Sequence, residues 1–259
     1  MEKQNKPIGF IDSGIGGLSV VDEFLTAMPE APIVFVADNA RCPYGNREPE
    51  EIQQFAFEMI DYLISEHDIQ LLMIACNTIV SRALDAIIAR YPDLPIVDVV
   101  SNGAKVAANL TFTEHVSVLA TFQTVQSESY VKMINRYHPN LTIEQFAPVE
   151  WVPMIEACSV DESLIRNYTD QLSPESDCVV LGCTHYPFIL PQLKAVAPDK
   201  AFINPAYQTV QEALPLINRE LFLGHCQLVL TTGDAAEFAD KIKFWLPERD
   251  FVVEHVELT

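Results

Sequence analysis

Two cysteines stand 107 residues apart in matching surroundings: Cys76 in Ala75-Cys76-Asn77-Thr78 and Cys183 in Gly182-Cys183-Thr184-His185. Each follows an apolar run and a small residue, and each precedes hydroxyl or amide side chains. A helix opening after either would aim backbone N–H groups at the sulfur, favour an anion there and lower the thiol pKa. A single cysteine of this kind reads as a buried structural thiol. Two in like contexts read as a pair of acid–base groups. Such a pair suits racemisation, which removes a proton from one face of a carbon and returns one to the other. One side chain cannot readily serve both faces. Two opposed thiols can, one starting as thiolate and the other as thiol, because modest tuning brings a cysteine pKa near neutrality.

Other residues gather around the two thiols. His185 lies two positions after Cys183, so extended backbone puts both side chains on one side. Asp12 ends the first apolar run. Each could exchange a proton with the nearer sulfur, or be an ordinary structural histidine and a turn carboxylate. Asp12-Ser13-Gly14-Ile15-Gly16-Gly17 lets backbone approach a ligand closely, and the helix start behind it can accept a carboxylate or phosphate. A dinucleotide fold with Asp38 as ribose acid is the rival for this loop, but Ser19 occupies the third glycine's place. Pro43-Tyr44-Gly45 presents an aromatic residue between two turn formers. Glu156, taken alone, reads as a solvated helix carboxylate.

Elements must hold these groups. Apolar runs at 8–11, 33–37, 71–75, 96–100, 116–120, 178–182 and 228–231 read as strands, mostly continuous, as for sheets covered on both faces. Between them lie helical patterns at 18–28, 50–67 and 78–91, the last with Asn77 or Thr78 as cap. Alternation of strand and helix implies parallel sheets with crossover helices. Strand-end polar turns at Asp12 and Thr121, and at Cys76 and Cys183, recur at nearly one offset. The expectation is an α/β protein of two similar halves, with mainly parallel sheets flanked by helices. Open sheets of this kind bind ligands beyond the carboxyl ends of their strands, so all four motifs would meet in the cleft between the halves.

The bulk chemistry excludes some partners. Sixteen basic residues face 36 acidic ones, a net charge of −20. That surface repels phosphate backbones and anionic lipids, so neither nucleic acid nor membrane is an expected partner. An anionic substrate would need local neutral donors. The six cysteines form no disulfide framework, and no apolar run approaches the roughly 20 residues of a membrane span. A reduced, cytoplasmic protein is expected.

Taken together, the motifs resemble the aspartate/glutamate racemase family. The matching stretches are Ile8-Gly9-Phe10-Ile11-Asp12-Ser13-Gly14-Ile15-Gly16-Gly17-Leu18, Asp38-Asn39-Ala40-Arg41-Cys42-Pro43-Tyr44-Gly45, Ala75-Cys76-Asn77-Thr78 and Asn102-Gly103-Ala104-Lys105. Thr121 with Thr124, Val125 and Ser127 follows, then Val152-Pro153 with Glu156, then Leu181-Gly182-Cys183-Thr184-His185-Tyr186-Pro187. The resemblance implies one α/β domain from residues 1–98 plus 207–259 and a second from 99–206. It implies interconversion of L- and D-glutamate, with aspartate as the alternative, in the service of peptidoglycan precursors and without pyridoxal phosphate or metal. Cys76 would act on the D form and Cys183 on the L form, assisted by Asp12, Glu156 and His185. Ser13, Pro43, Tyr44, Gly45, Asn77, Thr78, Thr121, Thr124 and Thr184 would contact substrate. A homodimer is compatible with the family. The sequence departs from the family pattern at Ser101-Asn102 (usually Glu-Pro), Ala120 (Gly), Ala147 (Cys) and Asn204 (Asp). Two readings of another class compete: a metal hydrolase with Cys183, His185, Asp12 or Cys76 as ligands, and a binding protein that kept the cleft but lost turnover.

Overall fold

A computed structural model describes residues 5–258. Its strands form two sheets, and every pairing is parallel. The first contains β1 (Ile8–Asp12), β2 (Ile33–Ala37), β3 (Leu71–Ile74), β4 (Ile96–Asp98), β9 (Gln227–Thr231) and β10 (Val252–His255), in the order β10-β9-β2-β1-β3-β4. The second contains β5 (His115–Ala120), β6 (Thr142–Phe146), β7 (Cys178–Gly182) and β8 (Ala201–Ile203), in the order β6-β5-β7-β8. The run β2-β1-β3-β4 therefore repeats as β6-β5-β7-β8. Cys76 follows β3 and Cys183 follows β7, so the two thiols occupy equivalent places.

Strands β1, β2, β3 and β7 are buried along their whole length, which is why they read as unbroken apolar runs. The helix Pro49–His67 shows how its sequence sets both ends. Glu48 and Glu51 form a capping box, Pro49 fills the first position where no amide partner is needed, and Asp68 stops the helix in a left-handed conformation. Its buried stripe is Ile52, Ala56, Met59, Ile60 and Leu63.

Three differences from the sequence reading have local causes. The run 96–100 is strand only to Asp98, whose carboxylate accepts the Ser101 N–H at 2.8 Å, so Val99 and Val100 open the helix Val99–Leu110. Cys76 itself, rather than Asn77 or Thr78, is the N-cap residue of the helix Asn77–Arg90. Strands β6, β8 and β10 are absent from the sequence reading: they are short, partly exposed outer strands whose apolar runs are too brief to stand out.

One apolar cluster runs from the first sheet into the second, joining Phe10, Phe35 and Met73 to Val118, Tyr130 and Val180. A smaller cluster around Trp151 fills the far face of the second sheet. Among the described residues no helix is long and apolar enough to cross a membrane.

Candidate active site

The carboxyl ends of β1, β3, β5 and β7 open onto one cleft. It is lined by Cys76 and Cys183, and by Asp12, Ser13, Pro43, Tyr44, Gly45, Asn77, Thr78, Thr121, Thr184 and His185. The remaining two expected residues stand one bond behind this wall. Thr124 Oγ1 lies 2.9 Å from Thr121 Oγ1, and Glu156 Oε1 lies 2.8 Å from His185 Nε2. Glu156 is therefore not the solvated carboxylate its local sequence suggests.

Cys76 is buried at the start of its helix as the N-cap residue. Its Sγ lies 3.8 Å from Ser13 Oγ. Burial and neighbouring Asp12 push this thiol well above its ordinary range. Asp12 is fully buried; Oδ2 accepts from the Gly17 N–H at 2.5 Å and the Thr184 hydroxyl at 3.5 Å, while Oδ1 has no hydrogen-bond partner. Burial raises the Asp12 pKa to about 6, against the opposing pull of the His185 charge. Cys76 thus sits as a neutral thiol beside a carboxylate with a spare acceptor.

The sign of that shift gives a prediction. A carboxyl raised from 3.8 to about 6 adds stability below 3.8 and loses it as pH rises through 6. Asp12→Asn should therefore stabilise the fold by about 1–3 kcal/mol at pH 8, and the gain should vanish below pH 4. Urea melts at the two pH values check this.

The second thiol is held by a chain of groups. Cys183 Sγ lies 3.7 Å from His185 Nδ1; His185 Nε2 meets Glu156 Oε1; Glu156 Oε2 meets Lys241 Nζ at 3.3 Å. The Ile15 N–H also donates to Glu156 Oε1, at 3.0 Å. Burial alone would lower the His185 pKa, but its bonds to Cys183 and Glu156 carry it well above the ordinary histidine value. Burial would raise Glu156, but His185, the Ile15 N–H and Lys241 bring it down to about 2. The result is an imidazolium between a carboxylate and a sulfur.

The rest of the lining offers neutral donors; it contains no lysine or arginine. Asn77 is the clearest case. The Tyr130 hydroxyl donates to Asn77 Oδ1 at 2.7 Å, which fixes the amide, while the buried Nδ2 has no partner. Tyr44 lines the cleft with its ring, because its O–H is bound to Asp38. Asp38 in turn also holds Arg41 and Thr232, so it serves this loop rather than a ribose. Two hydroxyl pairs join the halves, Thr78 to Thr121 at 2.9 Å and Ser81 to Ser129 at 2.8 Å.

Sequence reasoning missed Tyr130 and Lys241. Tyr130 lies 53 residues beyond Asn77 in a different sheet's helix, so nothing local marks it. Lys241 pairs with Glu237 one turn away, which by sequence is an ordinary exposed helix pair.

Residues 10–213 match the model of the Asp/Glu/Hydantoin racemase family. The chain belongs to this family. A glutamate racemase from Shouchella clausii is 34% identical over 252 residues, covering 93% of this chain and 91% of that one. Among solved structures, a glutamate racemase isoform from Bacillus anthracis superposes with a TM-score of 0.86 at 28% identity, over 98% of both chains. A glutamate racemase from Francisella tularensis, solved in complex with D-glutamate, has the same TM-score and identity and covers 98% of this chain and 97% of that one. These family relatives are amino-acid isomerases by name, and two parallel sheets flanked by helices are the shared architecture.

Proposed function

We propose that this chain is a glutamate racemase of the cytoplasm that supplies D-glutamate for peptidoglycan precursors, with Cys76 and Cys183 as its two acid–base groups. The cleft would lie between a domain of residues 1–98 plus 207–259 and one of 99–206. One observation carries the reading: two thiols at equivalent strand ends of two like sheets line a single cleft. The Francisella relative's complex with D-glutamate supports the choice of substrate.

The electrostatics suggest the starting state. The His185 imidazolium stands 3.7 Å from Cys183, the sulfur assigned here as base, while Cys76 beside Asp12 holds its proton. Cys183 would take the Cα proton of L-glutamate as Cys76 donates to the opposite face. One proton passing from Cys183 to solvent and one returning from solvent to Cys76 would then restore the two sulfurs, with His185 and Asp12 beside them. The substrate carboxylates would be held by the hydroxyls of Ser13, Thr78, Thr121 and Thr184 and by the free Asn77 Nδ2. Pro43, Tyr44 and Gly45 would close the wall, and Thr124 would orient Thr121. Neutral donors suffice because the cleft is largely screened from water, where hydrogen bonds to charge are strong.

The test is exchange in D₂O. Purified protein with L-glutamate should lose optical rotation while Cα takes up deuterium. Retained rotation and no deuterium would sink the proposal. Aspartate run alongside sets the substrate preference.

Lys241 gives a second expectation. It holds Glu156, and through it His185, without touching the cleft. Lys241→Met should lower kcat several-fold, on the order of tenfold, with KM little changed, and Lys241→Arg should recover most of the loss. Steady-state kinetics on the three proteins check it.

A further inference from the structure

Behind the cleft, three side chains of different chemistry converge where the mechanism needs only two. Cys42 Sγ lies 3.7 Å from Glu156 Oε1, which lies 2.8 Å from His185 Nε2. All three donor atoms fall within 4.8 Å of one another. Cys42 has no part in the proton transfers above. We propose that Cys42, Glu156 and His185 form a zinc-binding site whose occupation switches the isomerisation off.

The donor set is one sulfur, one imidazole nitrogen and one carboxylate oxygen, a combination that suits zinc and excludes the hard cations magnesium and calcium. The spacing is close to what the ion requires. Bonds of about 2.3 Å to sulfur and about 2.0 Å to nitrogen and oxygen put tetrahedral ligands roughly 3.3–3.5 Å apart. The sulfur–oxygen separation is already near that value, and the oxygen–nitrogen pair must open by about half an ångström. The two donors can converge because residue 14 is glycine. A Cβ there would fall on Glu156 Oε1 and 3.0 Å from Cys42 Sγ. Access exists as well, since a groove lined by Cys42, Glu156 and Lys241 adjoins the cleft and shares Pro43, Val152 and Pro153 with it. A water in that groove would complete the tetrahedron.

Binding has a clear chemical consequence. Cys42 releases its proton to solvent and becomes the thiolate ligand. His185 also releases its Nε2 proton to solvent and gives the freed lone pair to the ion, and its hydrogen bond with Glu156 is lost. The Glu156 carboxylate that positions the imidazole 3.7 Å from Cys183 Sγ is then bound to the ion instead, and the imidazole is no longer held against the sulfur. Zinc is thus a reversible inhibitor and not a cofactor. The binding claim is independent of the function proposed above; the inhibition claim rests on it.

The experiment uses the full chain, stripped with chelator and dialysed against zinc chloride. Wild type should take up one zinc per chain, and Cys42→Ser and Cys42→Ala should bind more than about tenfold more weakly. Cobalt chloride should give a thiolate-to-cobalt charge-transfer band in wild type that is absent from Cys42→Ser. Isomerisation should fall in step with zinc uptake, return with chelator, and resist zinc in Cys42→Ser. No stoichiometric uptake, or equal uptake by both Cys42 variants, overturns the site. Stoichiometric uptake through Cys42 with undiminished turnover overturns the inhibition. A metal-free wild type with no exchange on either acidic amino acid would instead refute the racemase reading, and the uptake and cobalt results would still decide the site.

Discussion

Cys76→Ala and Cys183→Ala are each expected to slow racemisation by about 10⁴-fold, the upper end of what one acid–base group contributes. The loss must be equal in both directions. L- and D-glutamate have the same free energy, so kcat/KM for the two cannot differ in any variant. What should differ is exchange without inversion. In Cys76→Ala, Cys183 can still remove a proton and return one to the same face, so L-glutamate should acquire deuterium slowly and keep its configuration. Cys183→Ala should show the same behaviour with D-glutamate. Proton NMR in D₂O with a chiral assay of the product separates exchange from inversion. Full turnover in either variant would break the two-thiol mechanism.

The second large effect is expected at a residue with no side chain. A Cβ on Gly16 would land on His185 Nδ1, the atom facing Cys183, and 2.7 Å from Thr184 Oγ1. Gly16 belongs to the first sheet's loop and His185 to the second's, so the methyl group would wedge the two walls apart at the reacting pair. Gly16→Ala should cost about 10²-fold or more in kcat, as for a misplacement near 1 Å, while costing only about 1–3 kcal/mol of stability. Kinetics together with a thermal melt distinguish this from simple unfolding. A variant with normal kcat would show that the loop yields without moving His185.

Much of this arrangement was legible because the strands that build it are buried on both faces. The runs ending at Asp12, Cys76, Ala120 and Gly182 are apolar apart from Ser117, and a ligand-binding end follows from their direction. The Gly-rich loop was ambiguous because its glycines admit side chains of the opposite half, Glu156 and His185, which lie well over 100 residues away. Glu156 looked solvated because its partners, His185 and Lys241, come from distant segments. Tyr130 was invisible for the same reason. Val99 and Val100 were misread because β-branched residues favour strands, while the Asp98 cap, a single side-chain bond, outweighs that preference.

The order of synthesis meets the order of the first sheet awkwardly. β9, which pairs with β2, and β10 beyond it are made after every strand of the second sheet, and so is the helix Ala235–Trp245 that brings Lys241 to Glu156. On the ribosome, a growing chain can complete its middle half while β2 waits with one side unpaired, a template for wrong partners. A nascent chain halted before residue 227 would carry both thiols and most of the cleft, yet lack two strands and the cation behind His185. The late segment thus acts as a closing clasp, so that the proton relay is assembled only when the sheet itself is finished.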